Sequence, residues 1–502
     1  TIASNPVSYI SWFGVAGPHD VNVPANWMAD RETALFANNA SWVEENNILD
    51  QDPQLATVAL STAESAELAI KLRKWYEVPD ETGTEDMSSI MFGDFNPNTI
   101  PGIGTEDGDG ITKYSDLIED FSIASSFTSN IDGHAIGALH WTNQIDSYDS
   151  AQALDDIQQA YGLNTGDVIS IPSGQANAGL LETTINNDID ADGNRLNPNR
   201  TYLLEPGLHF MYSEINTAAF TGTIKIHGST DGKKPVIVPI VNNGVAPGKS
   251  KIRSSLELKN LHIQGRDNEG GDTNGYFFQV YGNGSTIHVE DCLVEFPSRF
   301  IKAQNVTAGL EMTFKNNYFR DMFVSGQQWA GNIVDAKGVP IESFIFENNT
   351  VSNSGCPVLL QNQVVKYALI NHNTFVNTST FWNLNPYFYE AYITNNLFYN
   401  VNMMGEDYNY LMSNPGEVSF PIMAFAPISL DGAASTAAIP ADMLNAAGDA
   451  LVAPYDNVAN YTIYVADNIY HNNSSLDSYY NGDYNTIASN PVSYISWFGV
   501  AG

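Results

Sequence analysis

Three short stretches, Asn316-Asn317-Tyr318-Phe319, Asn348-Asn349-Thr350-Val351 and Asn395-Asn396-Leu397-Phe398, share a pair of asparagines, one variable residue and an apolar one. Each ends a longer pattern, apolar-x-apolar-x-[Asn/Asp]-x-x-apolar. Six segments fit it without gaps: 287–294, 312–319, 344–351, 368–375, 391–398 and 463–470, with His372 in place of Asn or Asp in the fourth. In this register Cys292, Asn317, Asn349, Asn373, Asn396 and Asn468 are equivalent, with successive spacings of 25, 32, 24, 23 and 72 residues. Alternating apolar residues make a strand with one inward face, and Asn tolerates the left-handed turn that bends a chain into its next strand. The expectation is a stack of coils of about two dozen residues. Asn317, Asn349, Asn373 and Asn396 would form a structural ladder at one corner, their amides inside and paired along the axis. An outward residue such as Thr394 would tolerate change better. Further strands at 276–281, 299–302, 332–335 and 357–361 would give three faces per turn. The long spacing before Asn468 predicts an excursion at about 403–460 containing a short helix, with Ala441, Met443, Leu444 and Leu451 against the stack.

On these motifs the chain resembles the right-handed parallel β-helix of the pectate-lyase-like superfamily, and especially its secreted bacterial modules. The resemblance covers about residues 165 to 500. It implies an all-β-dominated solenoid with a loop-rich, partly helical cap, an extracellular or cell-surface location, and a polysaccharide lyase or glycan binder as one functional alternative. Lyases on this fold neutralise a uronate carboxylate with calcium or another group and use Arg or Lys as the base. The cations on the coils are Arg299, Lys302, Arg320 and Lys337, with Asp321 and Asp335 nearby in sequence. They match no lyase motif residue by residue. Isolated cations on strands are more often solvated or paired with a neighbouring coil.

Residues 1–17, TIASNPVSYISWFGVAG, recur letter for letter as residues 486–502, an offset of 485 residues from position 1 to position 486. One reading is a tandem array of identical modules, which is a fibre. The other is a permuted chain with overlapping ends. On the first reading, residues 1–17 end the preceding β-helix, 18–164 form a cap or linker, and 165–502 form the next β-helix, with identical copies as partners. Helices are expected at 30–38, 64–76 and 150–161. Val492, Tyr494, Ile495, Trp497 and Phe498 would supply an apolar strand at the contact along the fibre.

The 502 residues carry 57 Asp and Glu against 21 Lys and Arg, a net charge of -36. That charge excludes a surface for a phosphate backbone, so nucleic acid is not a partner, nor is an anionic membrane. Polyuronates would be repelled unless bound cations reversed the local field. No apolar run of about 18 residues is present, so no helix is expected to span a membrane. The opening residues lack Met, a basic segment and an apolar run, so any export signal is expected to be removed or to lie outside this sequence. Two cysteines, Cys292 and Cys356, make no disulfide framework and are expected as buried thiols.

Calcium is the one cofactor suggested. Asp188, Asp190 and Asp192 alternate before Gly193, the spacing by which a loop wraps oxygens around the ion, although Asn199 stands at the twelfth position. A second stretch places Asp107, Asp109 and Asp116 on the ligand positions of a dockerin-like loop, with Thr105 replacing the first acid. His262, His288, His372 and His471 form no paired metal motif. Aromatic groups at 381–382, 387–389 and 479–480 are candidates for stacking on sugar rings.

Overall fold

The computed structural model describes residues 168–471, apart from short gaps and most of 402–437, together with 42–45, 48–49 and a few residues between 123 and 139. The repeated ends, 1–17 and 486–502, lie outside the described residues. So do the expected helices at 30–38, 64–76 and 150–161, along with Asp107, Asp109, Asp116, Lys337, Val492, Tyr494, Ile495, Trp497 and Phe498.

Three all-parallel sheets account for nearly all the strands. The first has eleven, stacked from Val168–Ile171 through Thr286–Glu290 and Pro386–Thr394 to Thr462–Ala466, with Trp42–Glu45 as the last. The second has ten, from Leu208–Met211 through Tyr318–Met322 to Ile469–His471, with Ile48–Leu49 last. The third is shorter, with five strands from Ser250–Ile252 to Val358–Leu359. In the middle of the stack the chain visits the sheets in turn: Thr286–Glu290, Leu293–Glu295, Arg299–Gln304, then Leu310–Lys315 beside the strand where the turn began. This order is compatible with a β-helix-like solenoid.

The strands form where the alternation requires. In Thr286–Glu290, Ile287 and Val289 are buried while Thr286, His288 and Glu290 are half-buried. Burying one apolar side chain of this size contributes about 1.5–3 kcal/mol, which fixes the register, because a one-residue slip would turn both out of the core. Along the second sheet the inward aromatics stack, Phe375 on Phe398 at 5.1 Å and Phe398 on Tyr470 at 5.0 Å, and Phe346 of the first sheet stacks on Phe375 at 5.9 Å, all nearly parallel. At the first end the only α-helix among the described residues, Leu180–Asn187, packs on Leu208–Met211 and buries Leu181 and Ile185 in the common core.

Among its described residues the excursion before Asn468 holds two single 3₁₀ turns, Ala441–Met443 and Val458–Asn460. Met443 is fully buried in the main core, with Leu444 and Leu451 packed against it. Lys366 ties the excursion to the stack, 2.5 Å from Asp442 and 3.2 Å from Glu342.

Candidate functional site

The asparagine ladder is the most regular polar feature. Asn317, Asn349, Asn373 and Asn396 are fully buried. Each Oδ1 accepts from both the backbone N–H and the Nδ2 of its counterpart in the preceding coil, at 2.8–3.1 Å, except Asn317, whose preceding counterpart is Cys292. Cys292 N–H donates to Asn317 Oδ1 at 2.9 Å, and Asn468 accepts from Asn396 at the other end. Each ladder Nδ2 also donates to a carbonyl of the first sheet, as Asn373 does to Phe346 O at 2.7 Å.

The left-handed turn belongs to the residue before the ladder position. Asp291, Asn316, Asn348, His372, Asn395 and Asp467 all have φ between 52° and 59°. A second corner, at the far end of the second sheet, was not anticipated. Asp321, Asn353, Asn377 and Asn400 have φ of 50–56°, and each asparagine donates to the residue one coil earlier at 3.0–3.2 Å. Its signal in the sequence was the spacing of 24 and 23 residues, shared with the first ladder.

The three candidate cations among the described residues do not form one site. Arg299 and Lys302 lie on the third sheet around Tyr276, at 5.2 and 5.1 Å from its ring centre. The Tyr276 hydroxyl donates to Asp335, and Lys302 Nζ is 3.7 Å from the same carboxylate. Burial, then the charge of Asp335, raises the phenol pKa, so it stays protonated and can serve as a donor. Arg320 lies on the second sheet, buried, with Nε 2.7 Å from Glu295 Oε2 and Nη2 on the same oxygen. His262 Nε2 approaches Glu295 Oε1 at 2.7 Å and Gln264 donates to it at 3.3 Å. Burial alone would raise Glu295, but Arg320 and His262 outweigh it and hold the carboxylate at about 2. Asp321 is pushed up to about 7 by burial, with the Glu295 charge adding and Arg320 opposing. The guanidinium is already committed to Glu295 and lies 4.0 Å from Asp321.

The alternating acids at 188–192 do not converge. Asp188 turns inward, accepting from Arg200 at 2.5 Å and from the Tyr202 hydroxyl at 2.7 Å. Asp190 Oδ1 closes its own turn, accepting from the N–H groups of Asp192 and Asn194 at 2.9 and 2.8 Å, while Asp192 is exposed. Among the described residues no group of three His, Cys, Asp or Glu side chains could hold a metal ion. The spacing suited a calcium loop, but Arg195 and Arg200 engage the first carboxylate.

The histidines are engaged in local pairs. On the outer face of the first sheet His227 Nε2 is 2.6 Å from Glu257, His288 is 3.2 Å from Glu290, and Lys259 is 3.2 Å from Glu290. Burial lowers the His227 pKa, against the pull of Glu257. His372 Nδ1 lies 3.3 Å from Gly137 O, and His471 packs on Tyr399 at 5.4 Å. Both cysteines are free and buried, as expected. Burial raises the Cys292 thiol to about 12.

No protein-family model matches the chain, and neither a curated protein nor a solved structure is significantly similar to it.

Proposed function

We propose that this chain is a structural subunit of an extracellular filament or surface stalk, made of right-handed parallel β-helix modules repeated every 485 residues. The observation that carries the reading is the letter-for-letter recurrence of residues 1–17 at 486–502. Stacked parallel sheets suit the role, because each coil offers the next a full row of backbone donors and acceptors. Eleven strands in the first sheet make a rod roughly 50 Å long at ~4.8 Å per strand. The charged residues favour a scaffold over a lyase: Lys302 is paired with Asp335 and Arg320 with Glu295, so both are engaged with a carboxylate of the adjacent strand. The test is the denatured mass of the native polypeptide together with electron microscopy of native material. Chains longer than one period and filaments are expected; a chain of one period that forms only isolated particles overturns the reading.

One observation favours glycan binding as a second reading. Tyr367, Tyr392 and Tyr464 line the outer face of the first sheet, half-buried, with ring centres 6.2 and 6.4 Å apart. Such a stripe suits the apolar faces of sugar rings. Binding to a panel of immobilised glycans, lost in Tyr392→Ala, is the expected result of that role.

A further inference from the structure

Residues 42–49 occupy a place that the order of the chain does not lead one to expect. Trp42–Glu45 adds a parallel strand beyond Thr462–Ala466, with Val43 opposite Tyr464 and Glu45 opposite Ala466. Ile48–Leu49 does the same beyond Ile469–His471, with Ile48 opposite Ile469. An early segment therefore continues the stack past its late end, in register on two sheets at once. A second early segment docks nearby. Gly137 N–H donates to Asn395 O at 2.8 Å, Ala138 N–H to Thr374 Oγ1 at 3.0 Å, and Leu139 N–H to Asn348 Oδ1. Phe127 and Ile136 pack on Leu397 and Ile469.

Within one copy, this arrangement makes the chain close the far end of the stack first and then return along its whole length to begin at Val168. In a 485-residue tandem repeat the same contacts need no return. The chain leaves His471, enters the next copy, lays Trp42–Glu45 and Ile48–Leu49 on the coil it has just finished, packs Phe127 and Ile136 on the second sheet, and starts a new stack at 168. The link from His471 to the next Trp42 is about half as long as the link from Leu49 back to Val168, and shorter closures cost less chain entropy.

We infer that the edge formed by Thr462–Ala466 and Ile469–His471 is an acceptor for residues 42–49 of the copy that follows. The folded unit is then offset from the sequence repeat, and each module ends on strands donated by its neighbour. This rests on the tandem reading above and adds to it the contact that makes successive modules mechanically continuous. An unclosed parallel edge would present a row of unpaired N–H and C=O groups, which the donated strands satisfy.

The test uses a chain of two consecutive periods carrying one engineered cysteine pair, Val43→Cys and Tyr464→Cys. Register partners in adjacent parallel strands are ~4.8 Å apart, within the ~4.4–6.8 Å range for a disulfide. With Tyr464→Cys in the first period and Val43→Cys in the second, mild oxidation should give the 43–464 disulfide peptide by mass spectrometry, lost on reduction. Glu45→Cys with Ala466→Cys is the second in-register pair, should the first variant fail to fold. Glu45→Cys with Tyr464→Cys is the out-of-register control and should not link. Linkage only when both cysteines lie in the same period overturns the donation and leaves the filament reading standing. No linkage by either in-register pair, in either arrangement, overturns the acceptor edge itself. A native polypeptide of single-period length overturns the tandem reading, whatever the disulfides show.

Discussion

Two rows of asparagines run up this molecule, one at each end of the second sheet, and they divide the same labour differently. At the first corner two adjacent residues share it: Asn316, Asn348, His372 and Asn395 take the left-handed turn, with Asn348 also donating to Asn316 Oδ1 at 2.7 Å, while Asn317, Asn349, Asn373 and Asn396 make the continuous ladder. His372 can stand in the turn row because the turn needs only a tolerant backbone. At the second corner one residue does both. Asn353, Asn377 and Asn400 are left-handed and also carry the inter-coil bond. Where that residue is Asp321, the row ends on an acid beside a buried ion pair, and Phe296 in the coil before it has no amide to offer. A corner with divided roles tolerates variation; a corner with combined roles passes each substitution straight into the hydrogen-bond network.

The largest expected effect lies where the second row ends. Arg320→Met leaves Glu295 buried without its guanidinium, and breaking such a pair costs about 3–5 kcal/mol. Urea denaturation should show a lower midpoint with little change in slope; a loss below ~1 kcal/mol would mean that His262 and Gln264 suffice for Glu295.

Next come the two ladders compared directly. Asn373→Leu strands the Asn349 N–H, part of the Asn349 amide and the Phe346 carbonyl, so a loss of about 3 kcal/mol is expected at ~1–3 kcal/mol per unsatisfied group. Asn377→Leu removes one bond on each side and should cost less, about 1–2 kcal/mol on the same scale. Equal losses would break the distinction between the corners. Thr394 is not the outward control that its strand position suggests, because it is buried and donates to Asn371 Oδ1 at 2.9 Å. Exposed Glu311 replaces it, and Glu311→Gln should be near neutral.

A further effect depends on pH. Asp321 has its folded pKa raised to about 7, so between the ordinary carboxylate range and pH 7 the folded state holds a proton that the unfolded state has released. Stability is favoured below that window and falls as pH rises through it, by at most about 1.4 kcal/mol per pH unit. Asp321→Asn removes this loss and makes the second row end on an amide. The variant should match the parent near pH 4 and exceed it in thermal midpoint at pH 7.5; an advantage that shrinks as pH rises would reverse the assignment.

The smallest expected change is no change. Burial raises the Cys292 pKa to about 12 and the Cys356 pKa well above its ordinary value, so both thiols should resist alkylation in native buffer and react only in denaturant. Cys292 tops the first row through its backbone N–H alone, so Cys292→Ala should leave the Asn317 bond in place and cost little beyond the packing lost.

The first corner was legible because its two roles fall on adjacent residues, so the Asn pair repeats visibly. The second was missed because each coil contributes a single Asn in varied company: Ser352 and Ser354 flank one, Val376 and Thr378 another. The third sheet was legible from its apolar runs, although its strands are shorter than expected at 278–281 and 358–359. The charge partners were not. Glu295 and Arg320 lie 25 residues apart in sequence and meet because one coil separates them. Asp188 showed a ligand spacing, but its actual partners follow from the turn that brings Arg195 and Arg200 back to it.

Sequence alone determined the period, the inward face of each strand and the row of buried amides, because all three depend on residues a fixed few positions apart, which coil geometry places on one line. Tertiary structure alone decided which charges neutralise one another, which acid keeps its proton, and that residues 42–49 lie beyond the last coil. Those outcomes depend on which coil lies next to which and on what covers the outside of each sheet, and the burial that sets their energies exists only once the stack has formed.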